Sequence, residues 1–217
     1  MLILKRFICG PLDNNVYVLA DKASMQCAVI DPGADSSAAI EHVQQQKLDT
    51  RYVLLTHGHF DHAFAAAQFC RELGAPLAVH PGDIPLLTRL AETAASWGVP
   101  GAEDAPEPGL LLEHGQVLKL GESEIEVRHT PGHSPGQVAF VYSGNAIVGD
   151  TLFRRGIGRY DLPGSDVEAL MASIQNQLYS LPGDTIVWPG HGPETTIDEE
   201  RRLNPYVGDG ARFGLIP

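Results

Sequence analysis

Short apolar runs alternate along the chain with stretches whose apolar residues recur at helical spacing. The early runs that predict strands span residues 2–8, 15–20, 26–30 and 51–55. Residues 36–46, with Ile40 and Val43 on one face, predict a helix between the third and fourth of these strands. The amino-terminal part is therefore expected to form a β-meander followed by a helix and a strand covered on both faces.

The rest of the chain continues this alternation. Further strands are predicted at residues 76–79, 116–120, 123–129, 137–142, 145–149 and 185–188. Helices are predicted at about 62–73 and 166–179, and the last segment is expected to be helical and then extended. Residues 81–115 predict one helix and a long loop, in which Trp97 is a candidate cover for a binding site. With no repeat or interdomain linker, the pattern predicts a single mixed α/β domain over residues 1–217.

Composition narrows the choice of partners. The chain has 217 residues and 43% apolar content, enough for a substantial core. Fifteen basic residues against 27 acidic ones give a formal charge of −12, which disfavours nucleic acid and anionic membranes as partners. No run reaches transmembrane length and no secretory signal is apparent, so a cytoplasmic location and a small-molecule partner are expected. Three widely spaced cysteines suggest neither a disulfide framework nor a thiolate zinc site.

The sharpest chemical signal is HGHFDH, at residues 57–62. His57 and His59 occupy positions i and i+2 of an extended segment, so their side chains point the same way and can bind one metal. Asp61 and His62 lie where the chain turns into the next helix and can face a neighbouring site. The alternative is an exposed polar loop, but so many ligand-type side chains would be costly at a buried strand end without a metal.

Three more ligand-type residues follow apolar strands. These are His133, Asp150 and His191, each directly preceded by a glycine that leaves room for close packing. With the first motif they supply five imidazoles and two carboxylates. That inventory suits two first-row metal ions sharing a carboxylate.

The stretch around His133 also permits a different enzyme. Gly132, Ser134 and Gly136 satisfy the G-x-S-x-G pattern of a serine-hydrolase nucleophile elbow. In that mechanism the backbone N–H after the serine holds the oxyanion, but Pro135 has no N–H. We therefore expect Ser134 to be a turn residue and not a nucleophile.

The ordered set HGHFDH, HTPGH, GD and PGHG resembles the metallo-β-lactamase superfamily over essentially the whole chain. The resemblance implies an αββα sandwich, in which two mixed β-sheets are flanked by helices and the metals lie at one edge. It assigns His57, His59 and His133 to the first metal and Asp150 to a bridging position. The second metal is assigned to Asp61, His62 and His191.

Within the superfamily, residues 149–161 resemble the segment of glyoxalase II that follows its bridging aspartate. Arg159 matches a lysine that helps to bind glutathione there, and Tyr160 is expected to line the same pocket. Asp161 stands where glyoxalase II has a tyrosine. Only a short segment follows His191, so no separate helical domain that completes the glutathione site is expected. Short bacterial hydrolases of this group lack that domain as well.

This resemblance implies a binuclear hydrolase that cleaves a thioester such as S-lactoylglutathione by attack of a metal-bridging hydroxide. Asp61 is expected to orient the hydroxide or to take its proton. Two divalent ions are expected, with zinc favoured and iron or manganese as alternatives. Asp31, at the end of a strand, is a candidate to hold a ligand histidine, although an aspartate before Pro32 could equally start a turn.

Three other functions stay open. The first is hydrolysis of an ester or lactone by the same site. The second is a mononuclear-iron persulfide dioxygenase, whose ligands would match His57, His133 and Asp150, but such enzymes usually carry HDY where this chain has HGP at residues 191–193. The third is a non-catalytic binding domain in which a metal only organises loops.

Overall fold

The computed structural model describes residues 1–211 and contains two six-stranded sheets. The first sheet has, in order across it, β1 (Leu2–Cys9), β2 (Asn14–Asp21), β3 (Gln26–Ile30), β4 (Asp49–Leu54), β5 (Leu77–Val79) and β6 (Leu110–Leu111). Strands β1 to β3 form an antiparallel meander, and β3 to β6 are parallel. The predicted opening meander is therefore present. The parallel strands β4, β5 and β6 extend it into a mixed sheet.

The second sheet comes from the later part of the chain. The later strands are β7 (Val117–Leu120), β8 (Ser123–His129), β9 (Val138–Tyr142), β10 (Asn145–Gly149), β11 (Leu152–Phe153), β12 (Gly156–Ile157), β13 (Ile186–Pro189) and β14 (Thr195–Thr196). Their order in the sheet is β14-β13-β10-β9-β8-β7, while β11 and β12 form a small hairpin beside it. Only the pairing of β10 with β13 is parallel in the second sheet as described.

Helices cover the outer face of each sheet. They are α1 (Ser37–Gln45), α2 (Phe60–Ala63), α3 (Ala66–Leu73), α4 (Ile84–Leu87), α5 (Leu90–Ser96), α6 (Val167–Ser173) and α7 (Ile197–Leu203). Helices α1 to α5 pack on the first sheet, and α6 and α7 pack on the second. Among residues 1–211, no helix combines the length and the apolar character needed to cross a membrane.

The alternation of side chains along the strands builds the layers. In β2, Val16 and Val18 face the helices, whereas Tyr17 and Leu19 face the second sheet, where they meet side chains such as Phe140. Because successive side chains of a strand point to opposite faces, apolar residues at every position bury both faces of the sheet. The predicted αββα sandwich of two mixed sheets flanked by helices is confirmed.

Several predicted boundaries were wrong. The helix predicted at 62–73 is two helices, α2 and α3, because the backbone N–H of Ala65 donates to Pro32 O at 2.8 Å and the chain turns there. Residues 81–115 contain a 3₁₀ turn, two short helices and β6, where one helix and a loop were predicted. The 166–179 helix begins at Val167 and ends in a π-helical turn. The hairpin of β11 and β12 and the strand β14 were not predicted.

The structure describes only part of the last predicted segment. The predicted helical part is present as α7. The extended part predicted after it reaches beyond residue 211 and lies there outside the described residues.

Candidate metal centre

The seven ligand-type side chains of the sequence motifs meet at one edge of the sandwich. His57 follows β4 in the first sheet, while His133, Asp150 and His191 follow β8, β10 and β13 in the second. The two sheets are joined at this edge by backbone hydrogen bonds, including Val138 N–H to Thr56 O at 2.8 Å. The site is thus assembled from strand ends of both sheets.

One group of imidazoles has no carboxylate within it. His59 Nδ1 and His133 Nε2 lie 2.9 Å apart, and the ring of His57 lies 4.8 Å from His59 and 4.9 Å from His133 between centroids. His57 is fully buried, and its Nε2 has no hydrogen-bond partner. Three nitrogens therefore converge on one point with one of them unsatisfied.

A second group contains a carboxylate and two imidazoles. His191 Nε2 lies 3.1 Å from Asp61 Oδ2 and 3.2 Å from His62 Nε2. His62 Nε2 is 3.5 Å from the same Asp61 oxygen. Asp61 and His62 reach this point because they lie in the single turn of α2, directly after His59.

Asp150 lies between these two groups. Its Oδ1 is 3.4 Å from His62 Nε2, and its Oδ2 is 3.7 Å from both His133 Nε2 and His191 Nε2. The Oδ1 atom is buried and has no hydrogen-bond partner. A carboxylate in this position can contact a cation in either group.

The outward nitrogens of two ligand-type histidines are held by backbone carbonyls. His133 Nδ1 lies 2.8 Å from Arg159 O, and His191 Nδ1 lies 2.9 Å from Leu12 O. A carbonyl can only accept, so each Nδ1 carries the proton and each Nε2 presents a lone pair to the centre. Such contacts fix both the tautomer and the orientation of a metal-binding imidazole.

Asp31 holds the other two buried histidines. Its Oδ2 accepts from Thr56 Oγ1 at 2.7 Å and lies 3.1 Å from His62 Nδ1. The Thr56 hydroxyl already donates to Asp31, so it accepts from His57 Nδ1, which is 3.1 Å away. Asp31 also accepts the backbone N–H of Thr56 at 2.7 Å. The placement of Asp31 agrees with a supporting role for this residue, although it also has the left-handed backbone of a turn, with φ 52°.

The protonation behaviour of the two groups differs. Burial, together with neighbouring His133, lowers the pKa of His59 to about 4, and burial lowers the pKa of His57 well below its usual range. Burial also opposes a charge on His62, but Asp61 and Asp150 outweigh it and raise the pKa of His62 to about 10. His57 and His59 are therefore neutral at pH 7, whereas His62 carries a proton that balances buried carboxylates, as a bound cation would do.

Asp83, which the sequence analysis did not single out, joins the two loops that carry His57, His59 and His133. Its buried carboxylate accepts from Gly58 N–H at 2.8 Å, Ser134 Oγ–H at 2.7 Å and Gly136 N–H at 2.6 Å. Gly58 separates His57 from His59, and Ser134 directly follows His133. Burial raises the pKa of Asp83, while the three donors oppose that effect. No sequence motif marks this residue, because its partners are distant along the chain.

The same contacts answer the question of the serine. Ser134 is buried and uses its hydroxyl proton to bind Asp83. Ser134 therefore joins its own loop to the loop that contains Asp83. The sequence predicted only a local role in a turn.

The glycine before His191 shows why a small residue is needed there. A Cβ atom on Gly190 would collide with Asp150 Oδ1 and would lie 2.6 Å from His62 Cε1. Any side chain at this position would push apart the groups that converge on the centre. The expected close approach at this glycine is confirmed.

The residues predicted to bind substrate lie at the protein surface, where Arg159 already has a partner. The guanidinium of Arg159 forms two hydrogen bonds with Asp161, both 2.9 Å long, and lies 5.9 Å from the centre of the Trp97 ring. Its charge is therefore already paired. Tyr160 is 42% exposed, and a role in substrate binding stays a prediction for both Arg159 and Tyr160.

The donor set fits divalent cations. Two nitrogens on a tetrahedral zinc ion, each about 2.0–2.1 Å from the metal, lie roughly 3.3 Å apart, close to the 2.9 and 3.2 Å spacings seen here. The unsatisfied His57 Nε2 and Asp150 Oδ1 supply further lone pairs at the same place. Fold and site together define a metal-dependent enzyme with its centre at the edge of a two-sheet sandwich.

Comparison with known proteins gives the family. The sequence model of the metallo-beta-lactamase superfamily matches residues 9–191, and the chain belongs to that superfamily. Hydroxyacylglutathione hydrolase GloC of Haemophilus influenzae is 37% identical over 183 residues, which are 83% of this chain and 86% of that protein. The hydrolase names among the relatives support a metal-dependent hydrolase.

Two solved structures are similar throughout. The structure of the B3 metallo-β-lactamase BLEG-1 matches with a TM-score of 0.87 and 36% identity, covering 94% of this chain and 99% of that one. The structure of TTHA1623 in a di-iron-bound form matches with a TM-score of 0.85 and 40% identity, covering 93% and 99%. Both structures share nearly the whole fold of this chain. One is named as a β-lactamase and the other is described with two iron ions, so these names support the fold and not one particular activity or metal.

Proposed function

We propose that this protein is a binuclear metal-dependent hydrolase that cleaves a thioester, with S-lactoylglutathione as the leading candidate substrate. The observation that carries the proposal is the convergence of two ligand groups on either side of Asp150. The thioester is supported by the similarity to a hydroxyacylglutathione hydrolase.

In this proposal each metal has its own protein ligands. His57, His59 and His133 would hold the first ion, and Asp61, His62 and His191 would hold the second. Asp150, which lies between the two groups, would serve both. Zinc is the favoured metal because imidazole and carboxylate ligands suit it, and iron or manganese remain alternatives with the same ligands.

Two such cations, when bound, lower the pKa of a water to about 7 and draw electron density from a carbonyl oxygen. The protein fixes the orientation of the metal-binding side chains. Asp31 and the carbonyls of Leu12 and Arg159 keep each imidazole in one tautomer. Asp61, whose carboxylate is partly open to solvent, orients the attacking water or takes its proton.

The exposure of the ligand side chains supports an entry side for the substrate. The His57 and His62 side chains are fully buried, whereas the His191 side chain is 26% exposed and that of Asp61 is 16% exposed. A carbonyl group therefore approaches over Asp61 and His191. Cleavage of a thioester at this point yields a carboxylic acid and a free thiol.

The test is steady-state hydrolysis of S-lactoylglutathione by protein of known metal content, followed by loss of thioester absorbance. Saturable turnover with kcat/KM above about 10⁴ M⁻¹s⁻¹, abolished by His59→Ala, would support the proposal. The same protein should be assayed with a cephalosporin, because a relative of 36% identity is named as a β-lactamase. A lactone, a carboxylic ester and glutathione persulfide complete the panel. Turnover of one of these, with none of the thioester, would replace the proposed substrate.

A further inference from the structure

An open, mostly apolar cavity of about 450 Å³ lies next to the metal centre. Its walls include Leu12, Phe60, Phe64, Trp97 and Val99. We call it the side pocket. A volume of this size is within the range that accommodates small organic ligands.

The side pocket borders the candidate metal ligands, because Phe60 on its wall lies between His59 and Asp61 in the sequence. A separate gap of about 10 Å³, roughly the space of one water, shares Leu12, Phe60 and Phe64 with it and is also lined by Asp61 and Asn14. The backbone carbonyl of Leu12 is the group that holds His191. A group in the side pocket is therefore adjacent to the atoms that would act on a substrate carbonyl.

The walls favour an uncharged, apolar guest. Phe60 and Trp97 pack with their rings 5.9 Å apart, which gives the pocket an aromatic side. The charged residue on its wall is Asp35, and the whole chain carries a formal charge of −12. An anionic group such as a glutathione carboxylate would be repelled there, whereas an alkyl or aryl group would bury apolar area.

We propose that the side pocket binds the acyl part of the substrate and favours acyl groups that carry an apolar chain. The proposal rests on the hydrolase function above, and it places the acyl chain between Trp97 and Phe64, with the scissile carbonyl at Asp61. Trp97 and Phe64 are then specificity-determining residues. Butyryl, hexanoyl or phenylacetyl compounds should be better substrates than acetyl compounds that share the same leaving group.

The first part of the test measures binding and needs no turnover. Straight-chain carboxylates from acetate to octanoate, which are the acid products of such a reaction, are titrated into zinc-loaded protein by calorimetry. Each buried methylene should tighten binding about fourfold until the pocket is filled.

Two variants make the result specific. Trp97→Ala should weaken octanoate binding about fivefold and leave acetate binding unchanged, and Trp97→Phe should restore most of the loss. Leu203→Ala is the matched control, since Leu203 is 54% exposed and Trp97 is 52% exposed, but Leu203 lies on α7. Affinity that does not depend on chain length, or equal effects of Trp97→Ala and Leu203→Ala, would overturn the proposal.

The second part measures hydrolysis of thioesters with the same series of acyl groups. A rise of kcat/KM with chain length that Trp97→Ala flattens supports the acyl assignment. Chain-length-dependent binding of the carboxylates without cleavage of any thioester would refute the proposed function and still support an apolar pocket at the metal centre. The two proposals can therefore fail separately.

Discussion

Asp83 offers a direct test of how the loops of the metal centre are held. Its carboxylate is fully buried and accepts from Gly58, Ser134 and Gly136, at distances of 2.6 to 2.8 Å. The perturbation is Asp83→Asn, which keeps the size of the side chain and replaces one oxygen with an NH₂ group. An amide in this place can accept on one side only.

The best orientation of the amide can be deduced from the contacts. If the NH₂ group takes the place of Oδ1, the remaining oxygen still accepts from Gly58 and Ser134, but Gly136 N–H loses its partner. An unpaired buried donor costs about 1–3 kcal/mol, and the two remaining bonds lose their charge assistance. Relief of the buried charge offsets part of this. We expect the free energy of unfolding of the metal-free protein to fall by about 2–3 kcal/mol.

A matched control is available in the same chain. Glu200 is also a fully buried carboxylate, and it accepts from Thr195, Asn204 and the backbone N–H of Arg155. Glu200→Gln should destabilise the protein by a similar amount, but none of these three donors is adjacent in sequence to a candidate metal ligand, as Gly58 and Ser134 are. Asp83→Asn should in addition weaken zinc binding about 10- to 100-fold, as expected when a group that orients metal ligands is removed.

Urea denaturation of the chelator-treated proteins gives the stability change, and competition with a chromophoric chelator gives the zinc affinity. Equal zinc affinity in Asp83→Asn and Glu200→Gln, at equal loss of stability, would refute the bracing role of Asp83. Unchanged stability of Asp83→Asn would refute the hydrogen-bond estimate itself.

Three further predictions concern single residues. Asp31→Asn should lower the affinity for one equivalent of metal about 10- to 100-fold, because it disturbs the orientation of His62; unchanged competition titrations would contradict this. Ser134→Ala should keep kcat/KM within a few-fold and cost about 1 kcal/mol through the lost bond to Asp83, whereas a loss above a hundredfold would restore the serine-nucleophile hypothesis. Burial and a stacked neighbouring histidine lower the pKa of His80 to about 4, from a usual 6.5, so its contribution to stability is complete above pH 6.5 and is lost as the pH falls towards 4. His80→Phe should therefore flatten the fall of unfolding free energy between these pH values in urea titrations, and an unchanged slope would exclude this residue as its source.

Local pattern determined much of the fold. The longer strands of both sheets follow from apolar runs, because a side chain in a strand faces one of two sides and the alternation is a property of neighbouring residues. The breaks between α2 and α3 and within residues 81–115 were missed, since they depend on a contact such as that of Ala65 with Pro32. Short pairings such as β11 with β12 carry too few residues for a pattern.

The same division applies to the site. The sequence by itself specified the candidate ligands, because HGHFDH and the later histidines and aspartate have donor atoms that suit a metal whatever surrounds them. Only the tertiary structure decided that Asp150 lies between two groups, that Asp83 joins loops 51 and 53 residues away from it, and that Arg159 is paired with Asp161. It also decided that Trp97 lines a pocket beside the metal centre. Donor chemistry belongs to a residue, whereas distance, burial and pairing depend on segments that the chain brings together only when it folds.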